Sequence, residues 1–260
     1  MNHLLQNVLQ RPDVWQASRI SYRAYDSLPS GHAILDEALH YRGWPPSSLI
    51  ELCAQQPGIG EMELLLPVLA AHCSKPGWIF FVSPPYQPYP PALQAWGINP
   101  GRLLIASPEK SRDILWAAEQ GLISGACIAV VGWLPQSGLR YQDLRRLQLA
   151  CRRGGAPGFF FRPLQALEER SPAALRLRLQ AQAQGLAISI NKQPGGHAGQ
   201  QIMMSRDKTL LRRKIPSLSL PSLTSVDLHT GHSSIVADVT TSSSGKFTPQ
   251  YTSQQDSLKQ

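Results

Sequence analysis

Leu49-Ile-Glu-Leu-Cys-Ala-Gln-Gln-Pro-Gly-Ile-Gly-Glu-Met-Glu-Leu-Leu-Leu66 reads as a strand, a tight turn and an apolar helix. The first six residues are apolar apart from Glu51. Pro57, Gly58 and Gly60 then punctuate the chain, and the apolar run from Leu64 opens a helix expected over 61–73. A phosphate-binding loop occupies this setting, because backbone N–H groups between a strand and a helix can cradle an anion. Its chemistry is missing here. Glu61 stands where such a loop needs Lys, Met62 where it needs a hydroxyl for magnesium, and Gln55 where its first glycine belongs. A carboxylate in the cradle repels phosphate. The stretch therefore predicts the shape of a nucleotide site without its function.

Working outward, short apolar strands are expected at 49–54, 78–83, 102–106, 126–131 and 157–161, with helices at 61–73, 90–97, 109–120 and 140–152. Strands that are apolar throughout and separated by helices imply a mostly parallel α/β sheet covered on both faces. Right-handed crossovers place the turn after the first strand at the carboxyl edge of that sheet. The pattern then changes. Ala174-Leu-Arg-Leu-Arg-Leu-Gln-Ala181 and Leu186-Ala-Ile-Ser-Ile-Asn191 alternate strictly, predicting an antiparallel hairpin at the sheet edge, and a third short strand is expected over 199–204. Upstream, Ser30–Leu39 puts Ile34, Leu35, Ala38 and Leu39 on one helical face, and a short amphipathic helix is expected before Pro12. From 206 the chain is rich in Ser, Thr, Pro and Gln, a composition that predicts disorder. The expected organisation is an N-terminal helix and linker over 1–29, one domain over 30–205, and a disordered tail over 206–260.

The 260 residues suffice for one sizeable core, and 42% are hydrophobic against 16% charged. No apolar run approaches the roughly 18 residues that span a bilayer, and the N-terminus lacks the basic lead and apolar core of a signal peptide. A cytoplasmic protein is expected. Cys53, Cys73, Cys127 and Cys151 are widely spaced in apolar contexts and read as reduced core residues. Neither they nor the histidines show metal-ligand spacing, and no Ser/His/Asp or Cys/His arrangement suggests a nucleophile. The net charge of +8 divides into +3 after residue 205 (seven Lys/Arg, four Asp/Glu) and +5 before it (18 and 13). That excess is compatible with nucleic acid or an acidic protein partner.

Several segments together resemble the RecA fold: Ser30-Gly-His-Ala-Ile-Leu-Asp36 as its lead-in, Phe80-Phe-Val82 and Cys127-Ile-Ala-Val-Val131 as core strands, and Leu175–Ile190 as its distal strands. Glu63-Leu-Leu-Leu-Pro67, Val130-Val-Gly-Trp-Leu134 and Gly158-Phe-Phe-Phe-Arg-Pro163 resemble signatures of inactive RecA relatives, the ImuA/SulA family. The resemblance implies a RecA-like sheet with a degenerate nucleotide loop. Pro85 and Gly132 fall where active relatives keep the water-positioning and magnesium carboxylates. With Gln55, Gly58, Gly60, Glu61 and Met62, they imply no ATP chemistry, no cofactor and no enzyme.

The lead-in and hairpin favour the ImuA branch. That branch implies support of error-prone translesion synthesis in the SOS response, beside an ImuB-like polymerase relative and an error-prone polymerase, with RecA or DNA as further contacts. The SulA branch implies a cell-division inhibitor that binds FtsZ. Trp133 reads either as a partner anchor or as a plug for the vacated site. Arg140, Arg145, Arg146, Arg152 and Arg153 read either as a solvated helix face or as a contact for DNA phosphate or an acidic protein. Pro84–Pro91 reads as a stiff lip over the same edge, and Leu210–Leu220 as a short binding segment in the tail.

Overall fold

The computed structural model describes residues 27–135, 138–195 and 198–205. All fall in the first of two units, Met1–Ser217 and Leu218–Gln260. The helix expected before Pro12, the disordered tail expected over 206–260 and its Leu210–Leu220 segment lie outside the described residues. Chain order runs α1 (Ala33–Ala38), β1 (Leu49–Ala54), α2 (Leu66–His72), β2 (Trp78–Val82), α3 (Pro90–Ala95), β3 (Leu103–Ala106), α4 (Ser111–Ile123), β4 (Cys127–Trp133), α5 (Tyr141–Gly154), β5 (Gly158–Pro163), β6 (Leu175–Gln182), β7 (Gly185–Lys192) and β8 (Gln201–Ser205).

The strands form one eight-stranded mixed sheet in the order β3-β2-β4-β5-β1-β6-β7-β8. β1 lies parallel to β5 and to β6, while β6–β7 and β7–β8 pair antiparallel. The expected edge hairpin is therefore present, extended by β8. Its alternation sends Leu186, Ile188 and Ile190 inward and leaves the intervening residues on the open face.

Two apolar layers sandwich the parallel strands. On one face α1, α2 and α3 pack Leu35, Leu69 and Leu93 against Ile50, Leu52, Phe159 and Phe161. On the other, α4 and α5 pack Ala118, Leu122, Leu144 and Leu147 against Leu49, Val130 and Phe160. Gln148 of α5 is buried because its Oε1 accepts the N–H of Leu49 at 3.0 Å, tying α5 to the start of β1.

The structure corrects two expectations. The helix after the loop begins at Leu66, not residue 61. Pro67 explains the shift: a helix running from 61 would hold it in the interior, where its ring meets the carbonyl of Glu63, whereas the first turn tolerates it. Residues 61–65 form turns instead, with Leu65 and Leu66 N–H both donating to the Met62 carbonyl at 2.9 Å. In α1, Ile34 is exposed while Leu35 and Ala38 are buried, and the buried Leu39 caps the helix from outside it, so the apolar face is narrower than expected.

Candidate functional site at the carboxyl edge

The loop Gln55–Met62 follows β1 at the carboxyl edge of the sheet. Gly58 and Gly60 have φ of 82° and 95°, so each must be glycine for the chain to turn at low cost. Glu61 is buried, and its two carboxylate oxygens accept the N–H groups of Gly58 and Ile59, both at 2.8 Å. The amides that cradle a phosphate in a nucleotide loop thus bind the chain's own carboxylate. The carboxylate does more than repel an anion: it occupies the cradle. Met62 packs against the apolar layer, and Gln55 is exposed. These residues do not fit a nucleotide.

Of the other matched positions, Gly132 is closed by its neighbour and Pro85 is exposed. A Cβ built on Gly132 would lie 2.7 Å from the Phe160 ring, so even the first atom of an Asp is excluded without moving that ring. Trp133 turns to the opposite face, stacking on Phe161 (centroids 5.0 Å, 22°) and meeting Phe81 edge-on (5.8 Å, 71°). Both rings hold the half-buried indole in place. Pro85 is exposed in the segment after β2, where Ser83 bends the chain through a φ of 55°. A Cβ on Gly58 would lie 4.0 Å from the Tyr86 ring, so this lip meets the loop over the edge. Tyr86 and Tyr89 are both largely exposed.

The five arginines of α5 and its N-cap, Arg140, do not form one patch. Arg140 and Arg146 are held by Asp143 and Glu119 respectively, and Asp143 Oδ2 also caps the helix by accepting the Arg140 N–H at 2.9 Å. Arg145, Arg152 and Arg153 are exposed and make no ion pair among the described residues.

Sequence reading missed a buried ionic cluster across β5-β1-β6. Glu51 accepts from Arg162 Nη1 at 3.0 Å and from Arg176 Nε at 2.6 Å, and Arg162 also reaches Glu169 at 2.8 Å. Arg176 donates further to the carbonyls of Ala166, Leu167 and Glu169, strapping the 3-10 turn Leu164–Glu168 to the sheet. The signal was present in the lone Glu51 and Arg162 of the otherwise apolar β1 and β5; Arg176 was hidden in the alternation of β6. Burial pushes the Cys53 thiol up to about 12, with the Glu51 charge adding to it, and burial does the same to Cys151. Among the described residues no group of His, Cys, Asp and Glu could hold a metal ion, and no helix is long and apolar enough to cross a membrane.

No family model matches the chain. It is similar to proteins named cell division inhibitor SulA. That of Photorhabdus laumondii is 33% identical over 118 residues, 44% of this chain and 63% of that protein. That of Serratia proteamaculans is 32% identical over 108 residues, 42% of this chain and 62% of that protein. That of Yersinia enterocolitica is 30% identical over 124 residues, 47% of this chain and 71% of that protein. The match thus spans less than two thirds of the first two relatives. A solved structure, SulA from Pseudomonas aeruginosa, aligns with 44% of this chain and 97% of its own at 22% identity and a TM-score of 0.37.

Proposed function

The chain belongs to the SulA family, and on that premise we propose that it is a non-catalytic, SOS-linked inhibitor of cell division that acts by holding FtsZ away from septum assembly. The observation that carries this reading is the similarity to the Yersinia enterocolitica cell division inhibitor over 71% of that protein. The filled cradle supports it chemically, since Glu61 satisfies the loop amides that a nucleotide would need. A protein of this kind works through its surface, in the cytoplasm where FtsZ assembles. The test is induced expression in a rod-shaped bacterium carrying fluorescent FtsZ. Filamentous cells without FtsZ rings are expected; cells that divide at normal length with intact rings would sink the proposal.

A second reading, support of translesion synthesis by an ImuA-type protein, draws on what the relatives leave uncovered. The 124-residue match to the Yersinia enterocolitica protein accounts for 47% of the chain. The strand order and the β6–β7–β8 edge support a RecA-like sheet. The lead-in forms α1, with Asp36 Oδ1 accepting the Ser30 N–H at 2.9 Å. Affinity capture of an ImuB-like polymerase relative from DNA-damaged cells would favour this reading. Normal damage-induced mutagenesis after deletion of the gene would remove it.

A further inference from the structure

The outer face of the α4–α5 layer carries rings and cations that neither the core nor the carboxyl edge uses. Between the N-terminal halves of the two helices runs a groove of about 510 Å³, lined by Leu115 and Trp116 with Arg112, Arg140 and Arg146. Trp116 is 60% exposed, an unusual amount of indole to leave in water. Beyond the groove, Tyr141, Arg145, Leu149 and Arg152 follow one another at helical spacing on α5, and all four are exposed. The face therefore alternates apolar and cationic groups.

Its charges choose among partners. Asp113, Asp143 and Glu119 stand beside Arg112, Arg140 and Arg146, so the cations nearest Trp116 are already compensated. A phosphate backbone carries charge at short, regular intervals and would meet these carboxylates. Arg145 and Arg152 have no such partner among the described residues. A guanidinium fork takes carboxylate or phosphate alike. It is the exposed Tyr141 and Leu149 interleaved with them that favour a segment carrying apolar side chains beside its carboxylates. We propose that the α4–α5 face docks an acidic, amphipathic segment of another protein. An apolar side chain of that segment covers Trp116 in the groove, and its carboxylates pair with Arg145 and Arg152 along α5. The site lies on the outer face of the helix layer rather than in the Gln55–Met62 cradle and does not depend on the cell-division reading.

The test uses the full chain and a fluorescein-labelled synthetic peptide alternating Glu and Leu, with binding read by anisotropy. Saturable binding is expected. Trp116→Ala is expected to weaken it about tenfold, as is Arg145→Glu combined with Arg152→Glu. All three side chains are exposed, so these variants are expected to fold; Arg152→Glu sets an anion at the helix C-terminus and lowers the melting temperature by a few degrees at most, which a thermal melt checks. An unlabelled poly-Glu peptide is expected to compete poorly, because it cannot cover Trp116. No binding to the wild-type chain, or equal binding by the variants, would overturn the proposal. Displacement of the peptide by a single-stranded oligonucleotide at equal charge would overturn it in favour of nucleic acid.

Discussion

Glu61 shows how one side chain can close a site. In an ordinary phosphate loop the amides wait for a ligand; here they already have one, held within three residues of its donors. Glu61→Ala removes both acceptors and strands the amide of buried Ile59, so a loss of about 1–3 kcal/mol is expected. Urea unfolding would read it as a lower midpoint at unchanged slope. Glu61→Gln, which keeps one acceptor, should lose less. The buried thiols make a second claim at this scale. Cys53 and Cys151 are raised from 9.0 to about 12, so between those values the folded state holds protons that the unfolded state has lost. Their contribution to stability is complete below pH 9 and lost as pH rises toward 12. Each thiol steepens the fall by about 1.4 kcal/mol per pH unit in that window. Replacing both with Ala lowers stability overall through lost packing, yet should flatten the alkaline slope. An unchanged slope would show that other groups carry it.

At the scale of elements, β1 is held by more than its two parallel ladders. Glu51 joins β1 to β5 through Arg162 and to β6 through Arg176, with the guanidinium of Arg162 2% exposed. Such a cluster adds little net stability when whole, because desolvating the charges offsets their attraction. Broken, it is costly. Glu51→Ala leaves two buried cations facing each other, and a loss of about 3–5 kcal/mol is expected in urea or thermal unfolding. Much of the surrounding architecture was legible in the sequence. The parallel strands announced themselves because they are apolar on both faces, and β6 and β7 because they alternate. The start of α2 was misplaced because the apolar run outweighed Pro67, whose ring alone dictates where that helix can begin. The filled cradle was half legible. Glu61 could be seen to exclude phosphate, but its bonds to Gly58 and Ile59 depend on a turn conformation that spacing does not encode. The ionic cluster was hidden because its members are 111 and 125 residues apart in sequence, and only the strand order brings them together.

For the whole molecule, the question is whether the sheet responds to a nucleotide. A fold with an open phosphate loop is stabilised by its ligand in proportion to RT ln(1 + [L]/Kd), about 2.7 kcal/mol at a hundredfold excess over Kd. For a domain of this size that raises Tm by several degrees. Here three separate positions on one sheet edge oppose binding. Glu61 fills the cradle, the Phe160 ring blocks any side chain at Gly132, and Trp133 packs into the aromatic cluster with Phe81 and Phe161. Losing one could be offset by the others, so single substitutions are not expected to restore binding. Millimolar ATP with magnesium should leave the Tm of the full chain unchanged, and should also leave that of Glu61→Ala unchanged, the variant in which the cradle is emptied. A shift in the variant alone would mean that Glu61 is the sole barrier and that the rest of the edge still accepts phosphate. A shift in the wild-type chain would mean that the carboxylate yields its amides to a ligand, and the case for a protein acting only through its surface would fall with it.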